Sequence, residues 1–126
     1  MYKRQARYRT LEWLHWQVGG LGPMFGQLGY FGVHAKDRNA PAIERFHTEA
    51  DRLLGVLERR LAASPFLGGD EYSIADIATY PWAVNAGGLL KEFLGASLAD
   101  KPALRRWLDT VGARPAVQRG MAIPRL

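Results

Sequence analysis

Apolar residues recur along this chain at intervals of three and four, and no stretch alternates with period two, so the pattern predicts helices throughout. From about Ala6 to Phe31 the positions Leu11, Leu14, Val18 and Leu21 share one stripe, which Trp13 and Trp16 widen. Gly19-Gly20-Leu21-Gly22-Pro23-Met24 interrupts it. Pro23 removes one helical hydrogen bond and its ring presses on the Gly19 carbonyl, so a kinked helix is expected, with a loop between two helices as the alternative. A polar connector follows over residues 32–41. The second helix starts near Pro41, a residue suited to a first turn, and continues to about Ala63. Its buried stripe reads Ile43, Phe46, Ala50, Leu53, Leu54, Leu57 and Leu61; Glu44, Arg45, Glu49, Asp51, Arg52, Glu58, Arg59 and Arg60 fill the other face.

Ser64-Pro65 stops that helix, and a glycine-containing turn leads to Glu-Tyr-Ser-Ile-Ala-Asp-Ile-Ala-Thr-Tyr-Pro-Trp, residues 71–82. Ser73 and Asp76 have the spacing of a capping box, in which a hydroxyl and a carboxylate each satisfy a backbone N–H at the helix start. Tyr72 and Ile77 occupy the positions of a hydrophobic staple. The helix behind them is apolar all round, which predicts a place in the middle of a bundle. Gly87-Gly88 breaks the pattern, and Leu89 to Leu94 makes a short helical piece. Asp100 reads as the cap of a helix with Pro102 just inside it, carrying Leu104, Trp107, Leu108 and Val111 and ending near Gly112. Arg114 to Gly120 fits one last short helix. The fold class is therefore all-α, a helical bundle of five or six helices.

Composition narrows the chemistry. The 126 residues suffice for one domain with a core, and hydrophobic residues make up 48%, too evenly spread for a membrane span. There is no cysteine, which excludes disulfides, thiolate metal sites and a cysteine nucleophile, and fits a reducing, cytoplasmic setting. The N-terminus is basic and lacks an apolar core with a small-residue cleavage site, so no secretory signal is read. A net charge of +5 raises the question of nucleic acid, but the 17 Lys and Arg are interleaved with 12 acids, as on a solvated surface. His15, His34 and His47 form no ligand-spaced pair, so no metal is expected. No serine sits in a nucleophile-elbow glycine pattern, and no strand precedes the glycine run as a phosphate loop would need. No catalytic residue is assigned. Met1-Tyr2-Lys3-Arg4-Gln5 matches what a common transposon adapter end encodes from a GTG start; residues 1–5 are set aside as an adapter scar, leaving 6–126 as the domain.

Ser73-Ile74-Ala75-Asp76 inside a helical bundle, with Arg114-Pro115-Ala116-Val117 near the end, resembles the C-terminal domain of cytosolic glutathione transferases. Trp16 to Met24 together with Ala42-Ile43-Glu44-Arg45-Phe46 is similar to the Nu class of bacterial transferases and their relative, the fungal prion-forming nitrogen regulator. The resemblance implies that glutathione is a substrate held mostly by a thioredoxin-like N-terminal domain, which no segment here supplies. It also implies a disulfide reductase using two glutathiones, inactive as this half alone, with a disulfide or electrophilic small molecule as second substrate and a homodimer as the intact assembly. Arg45 of the Ala-Ile-Glu-Arg motif is the residue carried over as a glutathione ligand, since a guanidinium can stabilise a thiolate or pair with a carboxylate. Met24 and Phe31 are candidates for the wall of the second-substrate pocket, with core or dimer packing as the competing role. The missing half would leave an apolar face of the first and central helices uncovered. The alternative is a stand-alone helical interaction module of the same fold.

Overall fold

The computed structural model describes residues 2–124. Met1 of the segment set aside, and the last two residues of the domain range, lie outside the described residues. α1 (Tyr2–Trp16) passes through a π-turn (Gln17–Leu21) into α2 (Gly22–Gly29), and a second π-turn (Tyr30–His34) ends this long rod. α3 (Ala40–Ala63), α4 (Ile74–Ala83), α5 (Lys91–Leu98), α6 (Pro102–Gly112) and α7 (Pro115–Met121) follow, with a 3-10 turn at Val84–Gly87. Among the described residues there is no strand, so the bundle is all-α with six helical rods. Lys3, Arg4 and Gln5 continue α1 on its exposed side.

The rod stays helical through the glycines, and the interruption is a widening rather than a break. The Gly22 N–H bonds the Gln17 carbonyl, five residues back, just before the ring of Pro23 needs room. The extra residue rotates the stripe. Val18, expected in the core, is 59% exposed, while Gln17 is buried with Leu21. Helical geometry also persists to His34, so the connector is shorter than expected and ends at Asn39, whose side chain accepts from the Ala42 N–H (3.1 Å) and caps α3.

α3 is the central element. Ala50, Leu53, Leu54, Leu57 and Leu61 are buried in a core they share with Leu21, Phe25 and Leu28 of the rod, Leu94 of α5, and Leu104, Trp107 and Val111 of α6. Between α3 and α4 the chain makes a tight turn in which Phe66 and Gly69 exchange two hydrogen bonds (3.0 and 3.2 Å). Gly69 has φ +138°, a conformation that favours glycine. The turn inserts Leu67 into the core, and Arg60 Nε donates to the Leu67 carbonyl at 2.9 Å.

The capping box forms at Ser73 and Asp76, and Asp76 does more than cap. Its Oδ2 accepts the Ser73 N–H (3.0 Å), while Oδ1 accepts the Leu67 N–H (3.0 Å) and the Trp107 indole N–H (2.8 Å). One fully buried carboxylate thus ties the turn, the start of α4 and the middle of α6 together.

Two expectations need correction. α4 does not lie in the middle of the bundle. Its inner face is Ala75, Asp76, Thr79 and Ala83, small enough for close approach to its neighbours, and its bulky apolar residues face outward, Ile74 51% and Ile77 52% exposed. Asp100 does not cap α6; it pairs with Lys101 Nζ (3.1 Å). The cap comes from α3, where the Glu58 carboxylate accepts the N–H groups of Ala103 (3.1 Å) and Leu104 (2.7 Å). Glu58, read as a surface residue, is spent on a helix 45 positions away.

Candidate functional site

Asn39 and a proline in the first turn start α3, and Arg45 follows in its second turn on the solvent side. Glu49, one turn further on, is the natural intrahelical partner for Arg45. It is taken instead by Arg52, which donates to both carboxylate oxygens (2.8 and 2.6 Å). That hydrogen-bonded pair holds the Glu49 carboxyl below the usual range, with Arg45 adding a weaker attraction. Among the described residues Arg45 forms no ion pair, so its guanidinium faces solvent with its donors uncommitted.

Beside Arg45, the Phe46 ring stacks on Phe31 of the second π-turn, centroids 5.7 Å apart and planes 13° from parallel. Tyr30 meets Phe31 edge-on at 5.0 Å. Tyr30, Phe31, His34 and the connector Ala35–Pro41 line an open cleft of about 850 Å³. Phe31 therefore lines a cleft while stacking on α3. Met24 lies elsewhere, half-buried against the core. Tyr30 was not singled out from the sequence; the signal was an adjacent Tyr-Phe pair at the end of a helical stripe. Ser73 and Asp76 sit apart from this region, in the structural hub. Among the described residues no group of three or more His, Asp or Glu side chains gathers as a metal site requires, and no helix is long and apolar enough to cross a membrane.

A second feature is an apolar surface between α2 and α4. Trp82 lies across the glycines of α2: a Cβ on Gly22 would stand 3.2 Å from the indole, and one on Gly26 3.8 Å away. Val18, Tyr30 and Leu89 flank it, all exposed. This surface lies on the first helix and α4, the two elements for which an uncovered apolar face is expected.

The family model for the glutathione S-transferase C-terminal domain matches residues 40–110. The disulfide-bond oxidoreductase YfcG of Escherichia coli is 46% identical over 121 residues, covering 95% of this chain and 54% of that protein. A second Escherichia coli protein, the disulfide-bond oxidoreductase YghU, is 42% identical over 94% of this chain and 42% of its own length. A glutathione transferase from Burkholderia graminis, with two glutathione molecules bound per subunit, has a TM-score of 0.86 at 44% identity, over 94% of this chain and 50% of that one. Another, from Pseudomonas putida with one glutathione disulfide bound per subunit, has a TM-score of 0.82 at 41% identity, over 95% and 53%. The chain spans about half the length of the curated relatives it matches. In sequence over residues 40–110 and in fold over nearly its whole length, it belongs to the glutathione S-transferase C-terminal domain family.

Proposed function

We propose that this chain is the helical half of a glutathione-dependent thiol–disulfide oxidoreductase, inactive alone and paired in the intact protein with a thioredoxin-like half. The observation that carries the reading is the 46% identity to a disulfide-bond oxidoreductase over 95% of this chain. The ligands of the structural neighbours agree with it: two glutathiones in one and a glutathione disulfide in another are the reduced and oxidised sides of a two-electron exchange. In that exchange one glutathione thiolate attacks the substrate disulfide and releases one thiol. The second glutathione attacks the mixed disulfide, which releases the other thiol and leaves glutathione disulfide. The chain has no cysteine, so its part is to bind and orient rather than to exchange sulfur.

Arg45 is the residue assigned to glutathione. An uncommitted guanidinium pairs with a carboxylate, or lowers the cost of a thiolate, without first breaking an ion pair of its own. Phe31, with Tyr30, forms a wall for the second substrate, a disulfide or an electrophilic small molecule. The intact protein works as a cytoplasmic homodimer on this reading. The test is glutathione titration into the protein with both halves present. Arg45→Ala weakens binding about three- to tenfold, the loss of one solvent-exposed contact of about 0.7–1.4 kcal/mol, with little change in stability. Unchanged affinity would refute the assignment.

The exposed surface around Trp82 favours a second reading, a stand-alone docking module. A thioredoxin-like reading frame continuous with codon 6 selects the enzyme; a native start codon near Ala6 selects the module.

A further inference from the structure

The two residues that follow Arg45 are gripped from two different elements, and the grips touch each other. Phe46 is stacked on Phe31 of the second π-turn. His47 donates from Nε2 to the Phe93 carbonyl (2.7 Å), and its ring meets the Phe93 ring edge-on at 5.6 Å. Phe93 belongs to α5, and its ring occupies the space a side chain would take at Gly32, the residue after Phe31. A Cβ at Gly32 would stand 2.8 Å from two carbons of that ring, closer than real Cβ contacts allow. The contacts close a circuit from Phe31 to Phe46, His47, Phe93, Gly32 and back to Phe31. It holds the turn of α3 that presents Arg45 at the two residues after the arginine, Phe46 and His47.

We propose that Phe93, seated on Gly32, is a positioning residue for Arg45. It locks the second π-turn and the second turn of α3 in one register, so that a guanidinium with no partner of its own is delivered from a rigid backbone. The inference rests on the assignment of Arg45 to glutathione. Its physical basis is the ordering cost of binding: an unpartnered arginine loses side-chain freedom when it engages a ligand, and a fixed backbone confines that loss to the side chain. Gly32 and Phe93 are linked to the Arg45 turn through Phe31, Phe46 and His47, so their effect is transmitted through packing.

The test is a four-protein cycle in the longer protein, with the thioredoxin-like half present: wild type, Gly32→Ala, Phe93→Leu and the double variant. Glutathione Kd and the thermal midpoint are read for each. The new methyl at position 32 displaces the ring, and leucine at 93 vacates the space that methyl needs. Each single variant weakens glutathione binding about three- to fivefold, less than the loss of Arg45 itself, and the pair returns it to within about twofold of wild type. Single variants that lower the midpoint but leave Kd unchanged overturn the proposal, since the circuit is then packing alone. If Gly32→Ala does not fold, Phe93→Leu decides the matter by the same criterion. Arg45→Ala separates the two failures. Unchanged affinity there removes both the site and the inference; lost affinity there, with flat Kd in Gly32→Ala and Phe93→Leu, removes the inference alone.

Discussion

Glu58 and Arg106 cap each other's helices. Glu58, near the end of α3, accepts the amides of Ala103 and Leu104 at the start of α6, while Arg106, one turn into α6, donates to the carbonyls of Leu61 (3.0 Å) and Ser64 (3.3 Å) at the end of α3. A carboxylate thus sits at the positive end of one helix dipole and a guanidinium at the negative end of the other. The four groups satisfied are among those that every helix end leaves unpaired. The junction is held by polar groups at its edge and by Leu61, Leu104 and Trp107 beneath.

Glu58→Gln keeps the shape but places an amide donor against a backbone donor. It should destabilise the fold by about 1–2 kcal/mol, the range for loss of a helix cap. Denaturant unfolding measures this, with Glu44→Gln, an exposed change on the same helix, expected to move stability by less than about 0.5 kcal/mol. Equal effects from the two changes would remove the remote cap.

Asp76 receives N–H donors on both of its oxygens, so an amide in its place must face one of them with another N–H. Asp76→Asn is expected to cost about 2–3 kcal/mol, which is large because the group is fully buried. The thermal midpoint should fall by roughly ten degrees for a chain of this size. Ser73→Ala, which removes the weaker half of the box (Ser73 Oγ to the Ala75 N–H, 3.3 Å), should cost about 1 kcal/mol. A reversed ranking would show that the hub is not the carboxylate.

Val18 and Leu89 are exposed beside Trp82; on the enzyme reading this surface is the seat of the missing half, on the docking reading it is not. Replacing both with lysine should act in opposite directions in two settings. In the chain by itself the double variant self-associates less, because a contiguous apolar patch has been broken. With the thioredoxin-like half present it is destabilised by about 1.5–3 kcal/mol for each apolar side chain no longer buried. Sedimentation of the first protein and unfolding of the second check this; the same direction in both would argue for the docking module.

The candidate site was legible as a motif and no further. Arg45 could be picked out from Ala-Ile-Glu-Arg, but its availability depends on whether Glu49 bonds the arginine four residues before it or three residues after. Both spacings are permitted on a helix, and the structure has the second. The circuit through Gly32 and Phe93 had no signature, since its members are 46 positions apart between His47 and Phe93 and carry no distinctive spacing.

Local rules were readable along the chain: helices where apolar residues recur at helical spacing, the Ser73–Asp76 start of α4, and an all-α bundle of a recognisable family. These follow from interactions within a few residues, so they are written in the order of the chain. Which apolar face is covered, and which polar residue serves a distant helix, depends on how the helices pack. Val18 faces out because a π-turn rotates the stripe before Pro23, α4 shows its isoleucines to solvent because its small residues pack inward, and Glu58 leaves its own surface to cap α6. Periodicity reports that a face is apolar; only the folded chain brings up the element that buries it or leaves it for a partner.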